Sequence, residues 1–226
     1  MDKRDMSGAR PHFVVTAGPT REYLDPVRFL SNPSTGKMGF AVAEAAARRG
    51  CPVTLVAGPV SLKSPKGARR VDVTSAREMC EATVGAVREA AARGERVAVV
   101  ATAAVADWRP AKCAARKLKK SRMSGSLRLV RNPDILKTLA AMRGAGRPLL
   151  VGFAAETGDA VSEARRKCRE KKLAFIVAND VAEKGSGFGA DTDRVTFVFP
   201  DGSLRALPLM TKRAVARRIV DEVLRV

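Results

Sequence analysis

The 226-residue sequence is poor in the residues that several kinds of functional site require. Aromatic residues make up 4% of the chain, with one Trp and one Tyr, so stacking platforms for single-stranded nucleic acid are scarce. The four cysteines form no C-x-x-C pair and His12 is the only histidine, which argues against a zinc cluster or a disulfide framework. Without a disulfide pattern, the expected compartment is a reducing one.

Long hydrophobic runs are also missing. The longest apolar stretch, residues 97–106, is too short to cross a bilayer. Residues 1–11 are polar and charged at their start, lack the apolar core of a secretory signal, and are expected to be a tail or linker. The sequence therefore predicts a cytoplasmic protein without a membrane partner.

Positive charge is what the chain has in excess. It carries 42 Lys and Arg against 23 Asp and Glu, a formal net charge of +19, which points to nucleic acid, a membrane surface or phosphorylated small molecules. Two segments, residues 108–133 and 165–172, hold most of this excess. A solvated basic loop and a solvated helix face are the alternatives to ligand binding there.

Short apolar runs alternate with helical patterns along the chain, which predicts an α/β fold. Strands are expected at residues 13–17, 52–56, 70–73, 97–101, 127–130, 149–153 and 174–178, and helices at 39–49, 75–92, from 132, from 157 or 159 to 172, and from 211. Unbroken apolar strands between helices predict a Rossmann-like, doubly wound, mainly parallel sheet. Residues 194–199 and 204–209 flank a turn and predict an appended antiparallel hairpin.

Helix caps follow from residue type. Ser75, with Glu78 three positions on, predicts a capping box, and Thr211 predicts the cap of the last helix. Asn132 followed by Pro133 predicts a third cap with Pro at the first helical position.

Ligands of such folds lie at the carboxyl ends of the strands, so the loops 18–38, 102–125 and 179–192 are candidate site loops. The first of them has neither a P-loop nor a dinucleotide glycine fingerprint. Its hydroxyl groups and cations before a helix start favour an anion. The alternative is an ordinary crossover loop in which Arg28 is salt-bridged to Asp25.

Other candidate residues leave two interpretations open. Asp107 could accept ribose hydroxyls or hold a metal, or it could pair with a neighbouring Arg. Asp134 would repel a phosphate, which favours contacts with a base or a sugar. Residues 185–189 fit a lid as well as a plain turn.

Six groups of residues, in this order along the chain, match one family. They are Asp25-Pro26-Val27-Arg28 with Ser31-Asn32 and Gly36-Lys37-Met38-Gly39, Ala104-Val105-Ala106-Asp107, Lys117-Leu118-Lys119-Lys120, Asn132-Pro133-Asp134-Ile135, Val151-Gly152-Phe153-Ala154-Ala155-Glu156-Thr157 and Ala178-Asn179-Asp180. By these motifs the chain resembles the bacterial phosphopantothenate–cysteine ligases. The resemblance covers residues 12–226, which it identifies as a ligase domain.

The resemblance implies a reaction in coenzyme A biosynthesis. CTP activates the carboxylate of 4′-phosphopantothenate as an acyl-cytidylate, and the amine of L-cysteine then displaces CMP. It implies catalytic roles for Asn32, Lys117 and Arg28, with Asn32 handling the acyl-cytidylate and Lys117 serving activation. The nucleotide contacts that it implies are Ala101, Thr102, Ala103, Asp107, Lys117, Pro133, Asp134, Ile135, Leu136, Phe153, Lys167 and Lys171.

The same resemblance implies Mg²⁺ with unassigned ligands, a homodimer with sites near its interface, and a decarboxylase as a possible further domain or partner. Two other functions remain as alternatives: an NAD(P)-binding oxidoreductase and a basic nucleic-acid-binding module. The missing glycine fingerprint argues against the first. The scarcity of aromatic residues and the lack of a known reader motif argue against the second, so no nucleic-acid partner is expected.

Overall fold

The computed structural model describes residues 10–119, 125–142, 144, 146–156, 160–180, 183, 185–187 and 189–226. Most of the predicted tail, residues 1–9, lies outside this part. None of the helices in the described ranges is long and apolar enough to cross a membrane.

The structure is built on one eight-stranded sheet with helices on both faces. Its strands are β1 (His12–Ala17), β4 (Val53–Ala57), β5 (Ala68–Asp72), β6 (Val97–Ala101), β9 (Leu149–Glu156), β10 (Phe175–Asp180), β12 (Thr196–Val198) and β13 (Leu204–Ala206). Their spatial order is β13-β12-β10-β9-β6-β1-β4-β5. The six strands from β5 to β10 are parallel and follow the Rossmann order, with the chain reversing direction across the sheet between β1 and β6. This confirms the predicted doubly wound sheet, and the antiparallel β12–β13 hairpin is the predicted appendage.

Each face of the sheet buries its own set of side chains. The helices α1 (Lys37–Arg48) and α5 (Lys212–Val223) cover one face, and α2 (Ala76–Ala92), α3 (Ile135–Ala140) and α4 (Ala160–Glu170) cover the other. Alternate residues of β1 point to opposite layers, with Phe13 and Val15 in one core and Val14 in the other. Both sides of the central strands are therefore apolar, as the unbroken runs in the sequence require.

Three small antiparallel pairs lie outside the main sheet. They are β2 (Arg21–Tyr23) with β3 (Phe29–Ser31), β7 (Trp108–Pro110) with β8 (Leu129–Arg131), and β11 (Thr192–Asp193) with β14 (Met210–Thr211). The prediction of irregular loops through residue 37 and over 102–125 was wrong at β2, β3 and β7. Strands of three residues are too short to show a period in the sequence.

Two of the predicted caps are confirmed and one is wrong. Ser75 and Thr211 accept backbone N–H bonds at the starts of α2 and α5. At α3 the cap is Asp134, which accepts from the Lys137 N–H at 3.0 Å, and not Asn132. The amide of Asn132 instead donates to the Ala106 carbonyl at 2.8 Å, so this side chain joins two loops.

Candidate functional site

The site lies where β1 and β6 end, at the reversal point of the sheet. Beyond these strands the loops that follow β1 and β6 run side by side. Pro19 and Ala104 form an isolated parallel bridge, and the Ala104 N–H donates to the Gly18 carbonyl at 2.9 Å. The Asn32 amide donates to the Ala104 carbonyl at 3.1 Å. Two neighbouring loops and the predicted catalytic Asn32 are thereby fixed to one another.

A cleft of about 550 Å³, called here the wide cleft, opens beside this bridge. Nine predicted nucleotide contacts line it: Ala101, Ala103, Asp107, Pro133, Asp134, Ile135, Leu136, Phe153 and Lys171. They come from the end of β6, the start of α3, the strand β9 and the segment after α4. Residues spread over seventy positions of the sequence thus form one surface.

Charge in the wide cleft is partly compensated within the protein. Asp134 caps α3 through one oxygen, and its other oxygen pairs with Lys171 Nζ at 2.9 Å. Burial raises the pKa of Asp134, but the bonds from Lys137 and Lys171 outweigh this and hold the pKa below its ordinary value. The carboxylate is therefore ionised at neutral pH and suits an uncharged hydrogen-bond donor better than a phosphate. Asp107 also lines the wide cleft and is exposed.

A second space of about 120 Å³, called here the narrow cavity, adjoins the wide cleft and shares Ala103 and Phe153 with it. It lies at the start of α1, which no side chain caps. The free N–H groups and dipole of such a helix start favour an anion. The predicted contact Thr102 lines this cavity and donates its hydroxyl to the Thr16 carbonyl at 2.6 Å.

Close packing at the helix start explains one glycine of the loop motif. A Cβ at Gly39 would lie 2.5 Å from the Ala17 Cβ and closer still to the Thr102 hydroxyl. Only a residue without a side chain lets α1 approach the strand ends this closely. Gly36, just before the helix, has φ of 78°.

Three buried polar residues, Asn179, Asp193 and Lys212, complete the narrow cavity. Asn179 donates to Asp193 at 3.1 Å, and Lys212 donates to the Gly187 carbonyl at 2.5 Å. Burial raises the pKa of Asp193 and lowers that of Lys212, although the opposite charges of the two groups oppose both shifts. Asn179 belongs to a motif quoted above, but sequence reasoning missed Asp193 and Lys212, since neither lies in a recognisable pattern.

Lys167 lies apart from both cavities. Its ammonium pairs with Glu156 at 2.6 Å and Glu163 at 3.3 Å. Arg166 on the same helix also pairs with Glu163 and Glu170. Arg166 and Lys167 are therefore paired with carboxylates of their own neighbourhood, and the structure does not bring Lys167 to the cleft as the resemblance implies.

One buried carboxylate holds Arg28 and the segment that carries Lys117. Asp25 is fully buried and pairs with Arg28 at 2.6 Å, so the salt bridge considered from the sequence is present. The Leu118 N–H donates to Asp25 at 3.1 Å, and Arg28 donates to the Leu118 carbonyl at 2.8 Å. Burial raises the pKa of Asp25, but bonds from the N–H groups of Val27, Arg28 and Leu118 and from the guanidinium hold it far below its ordinary value. This clamp fixes the backbone next to the exposed Lys117, and neither Lys117 nor Arg28 lines the wide cleft or the narrow cavity.

Two further features bear on the choice of site. Among the described residues there is no group of three or more His, Cys, Asp or Glu that could hold a metal by itself. A cavity of about 620 Å³ lies between α1, α5 and residues 62–66, and none of the predicted site residues lines it. The wide cleft and narrow cavity, at the reversal point of the sheet, are therefore the candidate site.

A family model for the DNA/pantothenate metabolism flavoprotein C-terminal domain matches residues 9–226. The chain belongs to this family. Relatives include the coenzyme A biosynthesis bifunctional protein CoaBC of Bacillus subtilis, 49% identical over 213 residues, and that of Escherichia coli K12, 46% identical over 215 residues. Each alignment covers 94% of this chain but only 50% and 51% of the relative, so the chain spans about half of their length.

Solved structures agree with this assignment. A crystal structure of the C-terminal domain of a CoaBC protein superposes with a TM-score of 0.78 at 40% identity, covering 96% of this chain and 95% of that one. Cab2, solved with phosphopantothenate-cysteine, has a TM-score of 0.71 at 14% identity over 95% of this chain and 86% of its own. The second likeness shows a common fold.

Proposed function

We propose that this chain is a CTP-dependent ligase that joins 4′-phosphopantothenate to L-cysteine in coenzyme A biosynthesis. The observation that carries the proposal is the meeting of nine expected nucleotide contacts in one cleft, next to an uncapped helix start. The relatives named CoaBC and the Cab2 complex with phosphopantothenate-cysteine support the substrate class. The preference for CTP rests on the bacterial sequence resemblance.

The two cavities suggest how the nucleotide is arranged. The base and ribose occupy the wide cleft, where Asp107 and Asp134 offer acceptors to the ribose hydroxyls and the exocyclic amine. The triphosphate passes Ala103 and Phe153 into the narrow cavity, where the start of α1 receives it. The carboxylate at Asp134 is thereby kept away from the phosphates.

The reaction has two steps. An oxygen of the phosphopantothenate carboxylate attacks the α-phosphorus of CTP, the bond to the bridging oxygen breaks, and pyrophosphate leaves with the electron pair. The neutral amine of cysteine then attacks the acyl carbon, CMP leaves, and the amine loses one proton. The first step brings two anions together, so fixed cations must neutralise the developing charge.

Lys117 and Arg28 are the cations proposed for the substrate side of the first step. Asp25 pairs with Arg28 and accepts the N–H of Leu118, the residue after Lys117, so one carboxylate holds both segments. Asn32, held at the end of the bridge between the two loops, is proposed to hydrogen-bond the acyl-cytidylate and the oxyanion of the second step. A neutral amide does this without trapping the attacking amine as a salt bridge.

Mg²⁺ is part of the proposal. Magnesium at nucleotide sites is usually held by one or two carboxylates together with substrate phosphates, so the lack of a dense acidic cluster among the described residues is compatible with it. Asp193 lines the narrow cavity and is the carboxylate available to a phosphate-bound ion there. Such an ion would neutralise charge on the transferring phosphoryl group.

A homodimer is also proposed, because exposed apolar side chains are concentrated in two neighbouring antiparallel strand pairs. Val27, Phe29, Trp108, Leu127 and Leu129 are each between 39% and 56% exposed. They belong to the β2–β3 and β7–β8 hairpins and the residues beside them, which also carry the Asp25 clamp. An exposed apolar patch of this kind is typical of an interface, and a second copy there would place Arg28 near the partner.

A decarboxylase domain or partner is proposed from the bifunctional relatives. Location in the cytoplasm and the lack of nucleic-acid and membrane partners remain predictions from the sequence.

The deciding experiment follows both steps with purified protein. CTP with phosphopantothenate alone is expected to release pyrophosphate, and adding cysteine is expected to give a product whose mass is that of phosphopantothenoylcysteine. We expect Asn32→Ala to accumulate the acyl-cytidylate and Lys117→Gln to slow pyrophosphate release by roughly 100-fold. No pyrophosphate release from any nucleoside triphosphate, with binding of NADPH or of duplex DNA instead, would overturn the proposal.

A further inference from the structure

Lys212 is a buried cation that the family resemblance does not assign. It is the first residue of α5, only 6% of its surface is exposed, and it lines both the narrow cavity and the cavity of about 620 Å³ beside α1. Its backbone is fixed on both sides: Thr211 caps the helix, and the Lys212 N–H donates to the Asp191 carbonyl at 2.9 Å. The position of the ammonium is therefore determined by the fold.

The ammonium is incompletely neutralised. Its one hydrogen bond is to the Gly187 carbonyl, and among the described residues no carboxylate lies within ion-pairing distance of its Nζ. Asp193 is nearby, but its charge is shared with the Asn179 amide and the Gly187 and Ser186 groups that donate to it. A buried cation without a close counter-ion is costly unless a ligand supplies the negative charge.

The surroundings of the ammonium suit a polyanion. Lys37, at the start of α1, lines the same cavity and adds a second positive charge, which pairs with the exposed carboxylate of Asp191 at 2.7 Å. The uncapped helix start faces the cavity from another side. A ligand here meets two cations, the carboxylate of Asp193 and the positive end of a helix dipole.

We propose that Lys212 binds the β- and γ-phosphates of the nucleotide and, after the first step, the pyrophosphate product. This rests on the proposed function. When the bond between the α-phosphorus and the bridging oxygen breaks, the electron pair stays on that oxygen, and Lys212 stabilises the added negative charge without transferring a proton. The residue thus acts on the leaving group, whereas Lys117 and Arg28 act on the attacking substrate.

The test compares Lys212→Met with Lys212→Arg and with Arg213→Met, which removes the next, exposed cation of the same helix turn. Binding of inorganic pyrophosphate, CTP and CMP is measured by calorimetry, since CMP lacks the two phosphates in question. For Lys212→Met we expect pyrophosphate and CTP affinity to fall about 10- to 100-fold with CMP affinity unchanged. Lys212→Arg should retain most of the affinity, and Arg213→Met should resemble the wild type.

Each result decides one point. Equal losses of CMP and pyrophosphate affinity would show that Lys212 only supports the local structure, and unchanged pyrophosphate affinity would show that it faces no phosphate; either overturns the inference. A melting curve identifies a variant that fails to fold, in which case Lys212→Gln replaces Lys212→Met in the same comparison. If the wild type itself releases no pyrophosphate from CTP, it is the proposed function that fails.

Discussion

The buried carboxylate of Asp25 accepts a hydrogen bond from the backbone N–H of Leu118, ninety-three residues further along the chain. Because Arg28 completes this contact by donating to the Leu118 carbonyl, the segment that carries Lys117 is held by a short motif at the start of the chain. The position of one proposed catalytic lysine therefore depends on an aspartate that touches no substrate.

Replacing Asp25 by Asn should lower the rate of the first step more than it lowers nucleotide affinity. The amide retains the volume but cannot accept all the bonds from Arg28 and Leu118, and a displacement of about 1 Å at a reacting group can reduce a rate on the order of 100-fold. Pyrophosphate release and CTP binding are measured side by side. Asp72→Asn on the edge strand β5 is the control, and equal activity of the two variants would contradict the positioning role.

Asp25 should also contribute to the loss of folding stability at acid pH. Its folded pKa is lowered far below the unfolded value of about 3.9, so its contribution is present above that pH and is lost as the pH falls through the folded pKa. Denaturant melts of wild type between pH 5 and about pH 2 should show this loss. In the same series, the free energy of unfolding of Asp25→Asn should fall less with decreasing pH than that of the wild type. An equally steep fall in the variant would show that other carboxylates cause the effect.

Asp134 combines two roles that substitution can separate. Asp134→Ser retains an oxygen to cap α3 but loses the pair with Lys171, whereas Asp134→Ala loses both. We expect the alanine variant to be less stable than the serine variant by about 1 kcal/mol, the usual value of a helix cap. Both should bind CMP more weakly than wild type. Similar stabilities of the two variants would show that the cap contributes little here.

Two glycine-to-alanine substitutions should change the free energy of unfolding in opposite directions. At Gly39 the new methyl group would collide with Ala17 and Thr102, which should cost about 1–3 kcal/mol of stability. At Gly85, within α2, a Cβ meets nothing within 4 Å, so alanine should stabilise the helix by about 0.5–1 kcal/mol. Chemical denaturation measures both, and a stable Gly39→Ala protein would show that α1 can move away from the strands.

Leu129→Arg should separate the proposed dimer. The charge would lie within the exposed apolar face formed by the two hairpins, where desolvating it is costly. Light scattering should report twice the mass of one chain for the wild type and a single chain for the variant. Leu204→Arg, at an exposed leucine on β13 away from that face, should remain dimeric.

The sequence predicted the main sheet because its strands are unbroken apolar runs between capped helices, which is the pattern of strands buried on both faces. It could not predict β2, β3 or β7, whose three residues are partly exposed and show no period. Asn132 and Asp134 are both good capping residues, and only the structure shows that Asp134 caps α3 while Asn132 bonds to Ala106.

The candidate site also contains residues that the sequence predicted and residues that it did not. Residues in motifs, such as Asp107 and Phe153, were located by resemblance and lie in one cleft. Resemblance also assigned Lys167 to the nucleotide, but in this structure its ammonium pairs with Glu156. Asp193 and Lys212 lie nineteen positions apart and come together only through the β11–β14 pair, which no spacing in the sequence indicates.

The bridge between Pro19 and Ala104 restricts how this part of the chain can change in length. Adding or deleting one residue before either position would shift the wall of the wide cleft and the carbonyl that holds Asn32 at the same time. The turn at residues 200–203, which lies at the far edge of the sheet and contacts neither cavity, carries no such restriction. Insertions and deletions among functional variants should therefore collect at that turn and be excluded from the segments around Gly18 and Ala103.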